Sequence, residues 1–441
     1  MYPWYPKTTS LTKIACSRVF WLVEVVLAML NFPLRRIKEG LVELLVPDFD
    51  AYKRPDGVYE PAWAPVFYNP KMGFNRDIAV LFARAYARLR GIDRIVVVEP
   101  LAGSGVRALR YAIEANAIVY ASDISSDAIA LIKENIKLNN AENKVFVQRA
   151  DANRYMEQLA EERVKPHIVD LDPFGSPAPF LEAALDLLGG RGVLAATATD
   201  TAPLSGTHAK ALRRRYDVVP ARTAWEKEQA VRVLVGYIVR RAANREYAAK
   251  PLLAYYADHY VRVYIEFERG ARKADKALEM LAYAYYCPIC QYTDYHKYYM
   301  RRRCPYCNTP MIVVGPVYSG PLASEKIVTL MLEELGKTNW LQNSKRAYEL
   351  LSLIMAEAPI TKPYYRVDRL CSWLHLNMPK LSKIIEVLQG KGYRATRTHF
   401  DPRGIKTDAP HCIVVDTVLK LALSSTPQNQ IGFNRINYSS T

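Results

Sequence analysis

Arg94–Gly105, RIVVVEPLAGSG, passes from a β-branched run straight into a turn of small residues. Consecutive Ile and Val suit a strand buried on both faces, and VRALRYAIEA after the turn carries helical spacing. The alternation repeats downstream. Ile118–Ser122 (IVYAS), Lys144–Gln148 (KVFVQ), His167–Leu171 (HIVDL) and Gly192–Thr197 (GVLAAT) read as further strands. Ser125 or Ser126 can cap the helix that carries Ile129, Ile132 and Ile136 on one face, and Phe180–Leu188 reads as another helix. Ala209–Ala249 is helical and basic, with Arg213, Arg214 and Arg215, before a last strand at Val261–Phe267 (VRVYIEF). Strands alternating with helices predict an α/β domain with a parallel sheet covered on both faces.

Outward from this core the pattern changes near Gly270. Residues 270–422 read as an α+β unit with two cysteine pairs in a hairpin at 283–315 and helical stretches through about Ala358. Leu381, Ile384, Ile385 and Leu388 then keep helical spacing, and GKGYRATRTH leads into Asp401-Pro402-Arg403-Gly404, a type I turn sequence. Helix, strand, turn and strand predict a winged-helix-like end. Residues 423–441 read as a flexible polar tail. Residues 1–40 read as an extension, disordered or mis-started, with Met29 as an alternative first residue. Its apolar stretch Ile14–Leu30 carries Arg18 and Glu24 and is too short for a bilayer span.

With 50% hydrophobic and 24% charged residues, the 441-residue chain has globular composition and room for two or three domains. Sixty Lys and Arg against 44 Asp and Glu leave a net charge of +16, which favours a polyanionic partner such as nucleic acid. Seven cysteines, four of them clustered, suit a reducing compartment better than a secreted disulfide scaffold.

Candidate chemistry gathers at the carboxyl ends of the strands. Glu99–Gly105 lies where backbone passes close to a ligand, although a ligand-free turn reads the same. Asp123, ending the second strand, can accept both ribose hydroxyls of a nucleoside cofactor; NAD would be served equally. Asp151 can accept from an adenine amino group while the Ala152 N–H donates to the ring. The fourth strand ends in Asp170-Leu171-Asp172-Pro173-Phe174-Gly175. An exocyclic base amine is a poor nucleophile because its lone pair is delocalised into the ring. The Asp172 carboxylate and Pro173 carbonyl can grip its two N–H bonds and turn the lone pair towards the methyl group of S-adenosylmethionine, while Phe174 stacks on the base. The commoner motif is Asp/Asn-Pro-Pro-aromatic; here the aromatic comes one place early.

Cys287-x-x-Cys290 and Cys304-x-x-Cys307, thirteen residues apart, have the spacing of a closed four-thiolate zinc site, with a redox dithiol or paired disulfides as the alternatives. Tyr292, Tyr295, Tyr298, Tyr299, Arg301, Arg302 and Arg303 lie between the pairs and suit either RNA stacking or packing around the metal. Lys391, Arg394, Arg397, Arg403 and Lys406 form a second basic group fit to track phosphates, whereas the run at Arg213 reads equally as a solvated helix.

Six blocks give a family resemblance: VFYNPKMGFNRD (Val66–Asp77), LAGSGVRALR, DLDPFGSP (Asp170–Pro177), TATDTAPLSGTH (Thr197–His208), AYYADHYVRV (Ala254–Val263) and RATRTHFDPRGIKTDAP (Arg394–Pro410). In this order, over roughly residues 41–422, the chain resembles the archaeal-type tRNA (guanine-26-N2) dimethyltransferases. The resemblance implies a Rossmann-like class I methyltransferase domain over 41–269 and a tRNA-binding domain over 270–422. It also implies transfer of one or two methyl groups to N2 of guanine 26. By the same resemblance Arg76, Arg107, Asp123, Asp151 and Ala152 fall on S-adenosylmethionine contacts, Asp172 on the catalytic acid, and Phe67 and Phe174 on the aromatics that sandwich the base. The glycine segment departs from the family's usual Ser-Ala-Thr-Gly, keeping small residues throughout.

Two rival readings remain: an amino-methyltransferase acting on another RNA or DNA base, and a non-catalytic RNA-binding protein with a vestigial crevice. The expected partner is tRNA, without a stable membrane partner. A monomer in the cytoplasm is the expected form.

Overall fold

A hairpin of β1 (Leu34–Glu39) and β2 (Val42–Pro47), turning at Gly40 with φ +59°, opens the computed structural model, which describes residues 30–424. The expectations for the apolar extension before Leu30 and the tail beyond Ser424 therefore lie outside the described residues. The boundary drawn at residue 40 falls in the turn of this hairpin. Val42, Leu44 and Val46 enter the main core, and Asn135 holds the hairpin down by accepting from Leu45 N (2.7 Å) and donating to Leu45 O (3.0 Å).

The α/β layer follows. Helix α1 (Gly73–Arg90) leads to β3 (Val96–Glu99), α2 (Val106–Glu114), β4 (Ile118–Asp123) and α3 (Ser126–Leu138). Next come β5 (Val145–Arg149), α4 (Ala152–Glu161), β6 (Ile168–Leu171), α5 (Leu181–Leu188) and β7 (Val193–Ala198). A short turn α6 (Thr201–Leu204), then α7 (Ala209–Tyr216) and α8 (Glu226–Ala243), lead to the hairpin β8 (Tyr247–Ala257) and β9 (Tyr260–Arg269). The sheet order is β5-β4-β3-β6-β7-β9-β8, parallel except for the closing hairpin. Every residue of β6 and β7 is buried, as the continuous apolar runs require.

One expectation is corrected here. The helical stretch read through Ala249 ends at Ala243, and Tyr247–Ala257 is a strand. Pro251 argues against a strand, yet β8 lies at the sheet edge and its register shifts between Pro251 and Leu253, the two circumstances in which a strand accommodates proline.

Beyond α9 (Ala271–Leu278), strands β10 (Leu281–Tyr286), β11 (Thr293–His296) and β12 (Ile312–Tyr318) form a sheet in the order β11-β10-β12 around the cysteines. Helices α10 (Glu325–Leu335) and α11 (Ser344–Glu357) then return to the first unit, where Ile327, Val328, Met331 and Leu351 share the core of α1. The last segment has a core of its own. It comprises β13 (Tyr365–Arg366), α12 (Val367–Leu374), α13 (Leu381–Gly390), β14 (Ala395–Arg397), β15 (Gly404–Thr407) and α14 (His411–Ser424). The turn expected at Asp401–Gly404 is closed by Gly404 N donating to Asp401 O at 2.9 Å, giving the winged-helix-like end. A buried ion cluster joins it to α8: Glu228 accepts from Arg232 (2.7 Å), Lys406 (2.9 Å) and Tyr364 N (3.1 Å). Among the described residues no helix is long and apolar enough to cross a membrane.

Candidate active site

The sheet ends β3, β4, β6 and β7 open on one rim, and the glycine turn bends across it. Gly103 (φ +53°) and Gly105 (φ +75°) both adopt left-handed backbone, and a Cβ on Gly105 would come within 2.9 Å of Ile132. Asp123 braces this turn, accepting from Gly103 N and from Ser125 N at 2.9 Å each. Each of its oxygens keeps a second lone pair for a ligand hydroxyl. A cleft of about 320 Å³ is lined by Pro65, Phe67, Gly103, Asp123, Ser125 and Phe174, a size suited to a small ligand. Two polar atoms of the turn, Ser104 Oγ and Glu99 Oε2, are buried without a protein partner. Open backbone, a carboxylate with spare acceptors and orphaned polar atoms make this a fitting cradle for a nucleoside cofactor.

Asp151 stands at the neighbouring strand end, outside the lining of that cleft. Its Oδ1 caps α4 by accepting from Asn153 N (3.0 Å) and Arg154 N (3.2 Å), while Oδ2 is uncommitted among the described residues. Ala152, first in the helix, has a backbone N–H with no intrahelical acceptor.

Beneath the rim lies an ion network that sequence reasoning did not find. Asp170, fully buried, is gripped by Arg262 at 2.8 and 2.7 Å and by Tyr111 Oη at 2.6 Å. Burial alone would raise its pKa, but Arg262 and Arg107 outweigh that and hold it below the usual carboxylate range. Arg107 donates to Asn75 Oδ1 (2.9 Å) and to Asp172 Oδ2, with Glu99 at 3.4 Å and Asp170 at 3.6 Å. Burial would lower Arg107, and the Asp170 and Asp172 charges keep it protonated. Glu99 is the opposite case, its carboxyl pushed well up by complete burial. Asp172 itself is 20% exposed, and its Oδ1 takes no hydrogen bond among the described residues.

A second cluster surrounds Arg76. Its Nε and Nη2 fork onto Glu39 at 2.6 Å each and Nη2 also reaches Asn69 O (3.1 Å), leaving Nη1 without a protein hydrogen bond among the described residues. Arg110 (3.0 Å) and Tyr68 Oη (2.8 Å) complete the shell of Glu39. Against the upward push of burial, Arg76 and Arg110 bring the Glu39 carboxyl from an ordinary 4.5 down to about 2. Glu39 therefore contributes stability that is fully present above pH 4.5 and lost as the pH falls towards 2, on the order of 3 kcal/mol. We expect Glu39→Gln to flatten the fall in unfolding free energy over that window in urea titrations; an unchanged slope would show that other carboxylates carry it. Glu39 escaped notice because it was assigned to the extension. Arg262 escaped because a charge inside a strand shows its direction only through its pairing with Thr197.

The aromatics expected to sandwich a base are together but not parted. Phe67 and Phe174 meet edge to face, centroids 4.4 Å apart at 80°, whereas a base between them needs parallel rings about 7 Å apart. Phe174 is 71% exposed on a turn with Gly175 at φ +83°, so it is the ring with room to move. Pro173 is buried beside it.

Between β10 and β12, the four cysteine sulfurs lie within 4.8 Å of one another, with separations of 3.4 Å (Cys287–Cys307), 3.5 Å (Cys290–Cys304) and 3.8 Å (Cys290–Cys307). A disulfide needs about 2.05 Å. Zn–S bonds of about 2.3 Å in a tetrahedron place sulfurs about 3.8 Å apart, so the donor set fits a closed zinc site.

The sequence model of the family described as N2,N2-dimethylguanosine tRNA methyltransferase matches residues 41–419. Relatives named tRNA (guanine(26)-N(2))-dimethyltransferase include that of Metallosphaera sedula, 38% identical over 85% of this chain and 94% of its own. That of Sulfolobus acidocaldarius is 34% identical over 88% and 98%. Among solved structures, Trm1 from Pyrococcus horikoshii in complex with S-adenosyl-L-methionine is similar with a TM-score of 0.75 and 36% identity, covering 87% of this chain and 99% of that one.

Proposed function

The chain belongs to the N2,N2-dimethylguanosine tRNA methyltransferase family, and from that premise we propose that it transfers one or two methyl groups from S-adenosylmethionine to the exocyclic N2 of guanine 26 in tRNA. The observation that carries this reading is Asp172, held by Arg107 through Oδ2 with Oδ1 left for a ligand, on the rim that also bears Phe174 and the cofactor cleft. When bound, S-adenosylmethionine supplies an electrophilic methyl group on a sulfonium centre. Asp123 would hold its ribose, Asp151 and Ala152 its adenine, and the spare Nη1 of Arg76 its carboxylate. Arg107, committed to four protein groups, acts chiefly by fixing Asp172. Asp172 Oδ1 and the Pro173 carbonyl would accept hydrogen bonds from the two amine N–H groups and turn the lone pair out of conjugation; the carboxylate would offset the charge that develops on nitrogen and take the proton that leaves it as the N–C bond forms. Phe67 and Phe174 part to stack on the base. After the first transfer the remaining N–H still has an acceptor, which permits the second.

The test is direct. Purified protein, labelled S-adenosylmethionine and unmodified tRNA, followed by nucleoside mass spectrometry, should yield N2-methylguanosine and N2,N2-dimethylguanosine. A transcript with adenine at position 26 should yield neither. Methylation at other sites only would contradict the reading.

Residues 270–422 serve as the tRNA-binding part of the enzyme, which acts in the cytoplasm. Within them Cys287, Cys290, Cys304 and Cys307 hold structural zinc, for four thiolates leave no open coordination position. Trp373 packs against the cysteine cluster and reports on it. Chelation should shift Trp373 emission and loosen residues 283–315 while barely changing S-adenosylmethionine affinity; a chelated protein with unchanged emission and thermal stability would count against the metal.

A further inference from the structure

Helix α7 is a basic element joined directly to the catalytic loop, and the joint is made of hydrogen bonds. Tyr216, at its last turn, is buried with Leu212 on the inward face. The Tyr216 hydroxyl lies 2.7 Å from Ser176 Oγ and donates to Asp200 at 2.8 Å, while Arg215 pairs with Asp200 at 2.9 Å. Ser176 follows directly on Asp172-Pro173-Phe174-Gly175, and Gly175 exchanges hydrogen bonds with Thr199, the residue before Asp200, at 2.7 and 2.9 Å. Arg240 fixes the same C-terminal end of the helix through the Tyr216 carbonyl at 2.5 Å. The last turn of the helix is therefore tied by hydrogen bonds to the loop that presents Asp172.

The outward face of the same helix is chemically unfinished. Lys210, Arg213 and Arg214 are exposed, and their i, i+3, i+4 spacing sets them about 5–6 Å apart on one side. Among the described residues none of the three side chains forms an ion pair or hydrogen bond, although Arg215 beside them is paired with Asp200. Three uncompensated cations on a rigid face beside a nucleotide-modifying rim match the charge and repeat of a sugar–phosphate backbone, whose contacts set register rather than read sequence.

We propose that this face of α7 binds the tRNA phosphates flanking the target guanine, and that Tyr216 passes that contact to the catalytic loop. The proposal rests on the tRNA methyltransferase reading above. A substrate gripped at α7 is placed relative to Asp172 through the Tyr216–Ser176 bridge, so backbone binding and base presentation share one frame.

The test uses the full-length, metal-loaded protein and two kinds of variant. With Lys210→Ala, Arg213→Ala and Arg214→Ala combined, the KM for tRNA should rise about tenfold, and the slope of log Kd against log salt should fall by about 2, as for the loss of three phosphate contacts. With Tyr216→Phe, kcat should fall about tenfold while the KM for tRNA stays put, the split expected of a positioning residue. Ser176→Ala probes the same bridge from the loop side and should reproduce that split if Tyr216→Phe proves poorly folded. A triple variant with wild-type Kd and salt slope makes α7 a solvated helix and overturns the proposal, as does a pair of bridge variants with wild-type kcat. A wild type that binds tRNA but makes no N2-methylguanosine overturns the functional reading instead, and the salt-slope measurement still judges the helix by itself.

Discussion

Asp172→Asn should cut methyl transfer by roughly 10³-fold while weakening tRNA binding by only about tenfold and leaving S-adenosylmethionine affinity within a few-fold of wild type. The substitution is isosteric, so Arg107 keeps Asn75 and its neighbours at Glu99 and Asp170, and the rim keeps its shape. What it removes is negative charge at Oδ1, the atom proposed above to accept a hydrogen bond from the amine and to balance the charge appearing on nitrogen as the methyl group arrives. Binding of the cofactor and of the rest of the tRNA draws on other groups and survives. Asp172→Ala is the harsher variant, since it also strips Arg107 Nη2 of its acceptor. Single-turnover kinetics at saturating tRNA give the rate, and filter binding gives the affinities. A variant with near wild-type turnover would remove Asp172 from the chemistry.

Arg262→Met should destabilise the protein by about 3–5 kcal/mol, the usual consequence of leaving one partner of a buried ion pair alone. Asp170 has no solvent to turn to and would keep only Tyr111 and the distant Arg107. Arg107 would be drawn down towards Asp170, away from Asp172, so turnover should fall along with stability. Urea denaturation at neutral pH measures the first effect and kcat the second. The double variant Asp170→Leu/Arg262→Met should recover much of the lost stability, because it removes the pair instead of breaking it. If Arg262→Met alone were as stable as the parent, the network beneath the rim would have no structural role.

What could be read in the sequence was local or strictly periodic. β3, β4, β6 and β7 stand within a residue or two of the runs that announced them, because a strand buried on both faces leaves an uninterrupted apolar signature. The cysteine pairs were legible because all four ligands lie close together in the sequence, between Cys287 and Cys307, in the two connections that flank β11. β8 was not, since Pro251 is acceptable only at an edge and at a bulge, and both are properties of the assembled sheet. Glu39 and Arg76 lie 37 residues apart and meet only when the first hairpin folds against α1. The return of α10 and α11 to the core of α1 was equally invisible, since amphipathic spacing shows which face is buried but not against what. Phe67 came through family likeness alone. It sits in the irregular segment between Pro61–Trp63 and Pro70–Met72, where no periodicity marks a functional side chain.

Whether the Asp172 carboxylate holds the guanine amine is decided by a double-mutant cycle, which puts that contact on its own scale. Affinity is measured for wild type and Asp172→Asn, each with tRNA carrying guanosine or inosine at position 26, with S-adenosylhomocysteine present. Inosine lacks only the amine. Its substitution should weaken binding to the wild type by about 1–2 kcal/mol and to the variant by almost nothing. Equal losses in both proteins would mean that amine and carboxylate never meet.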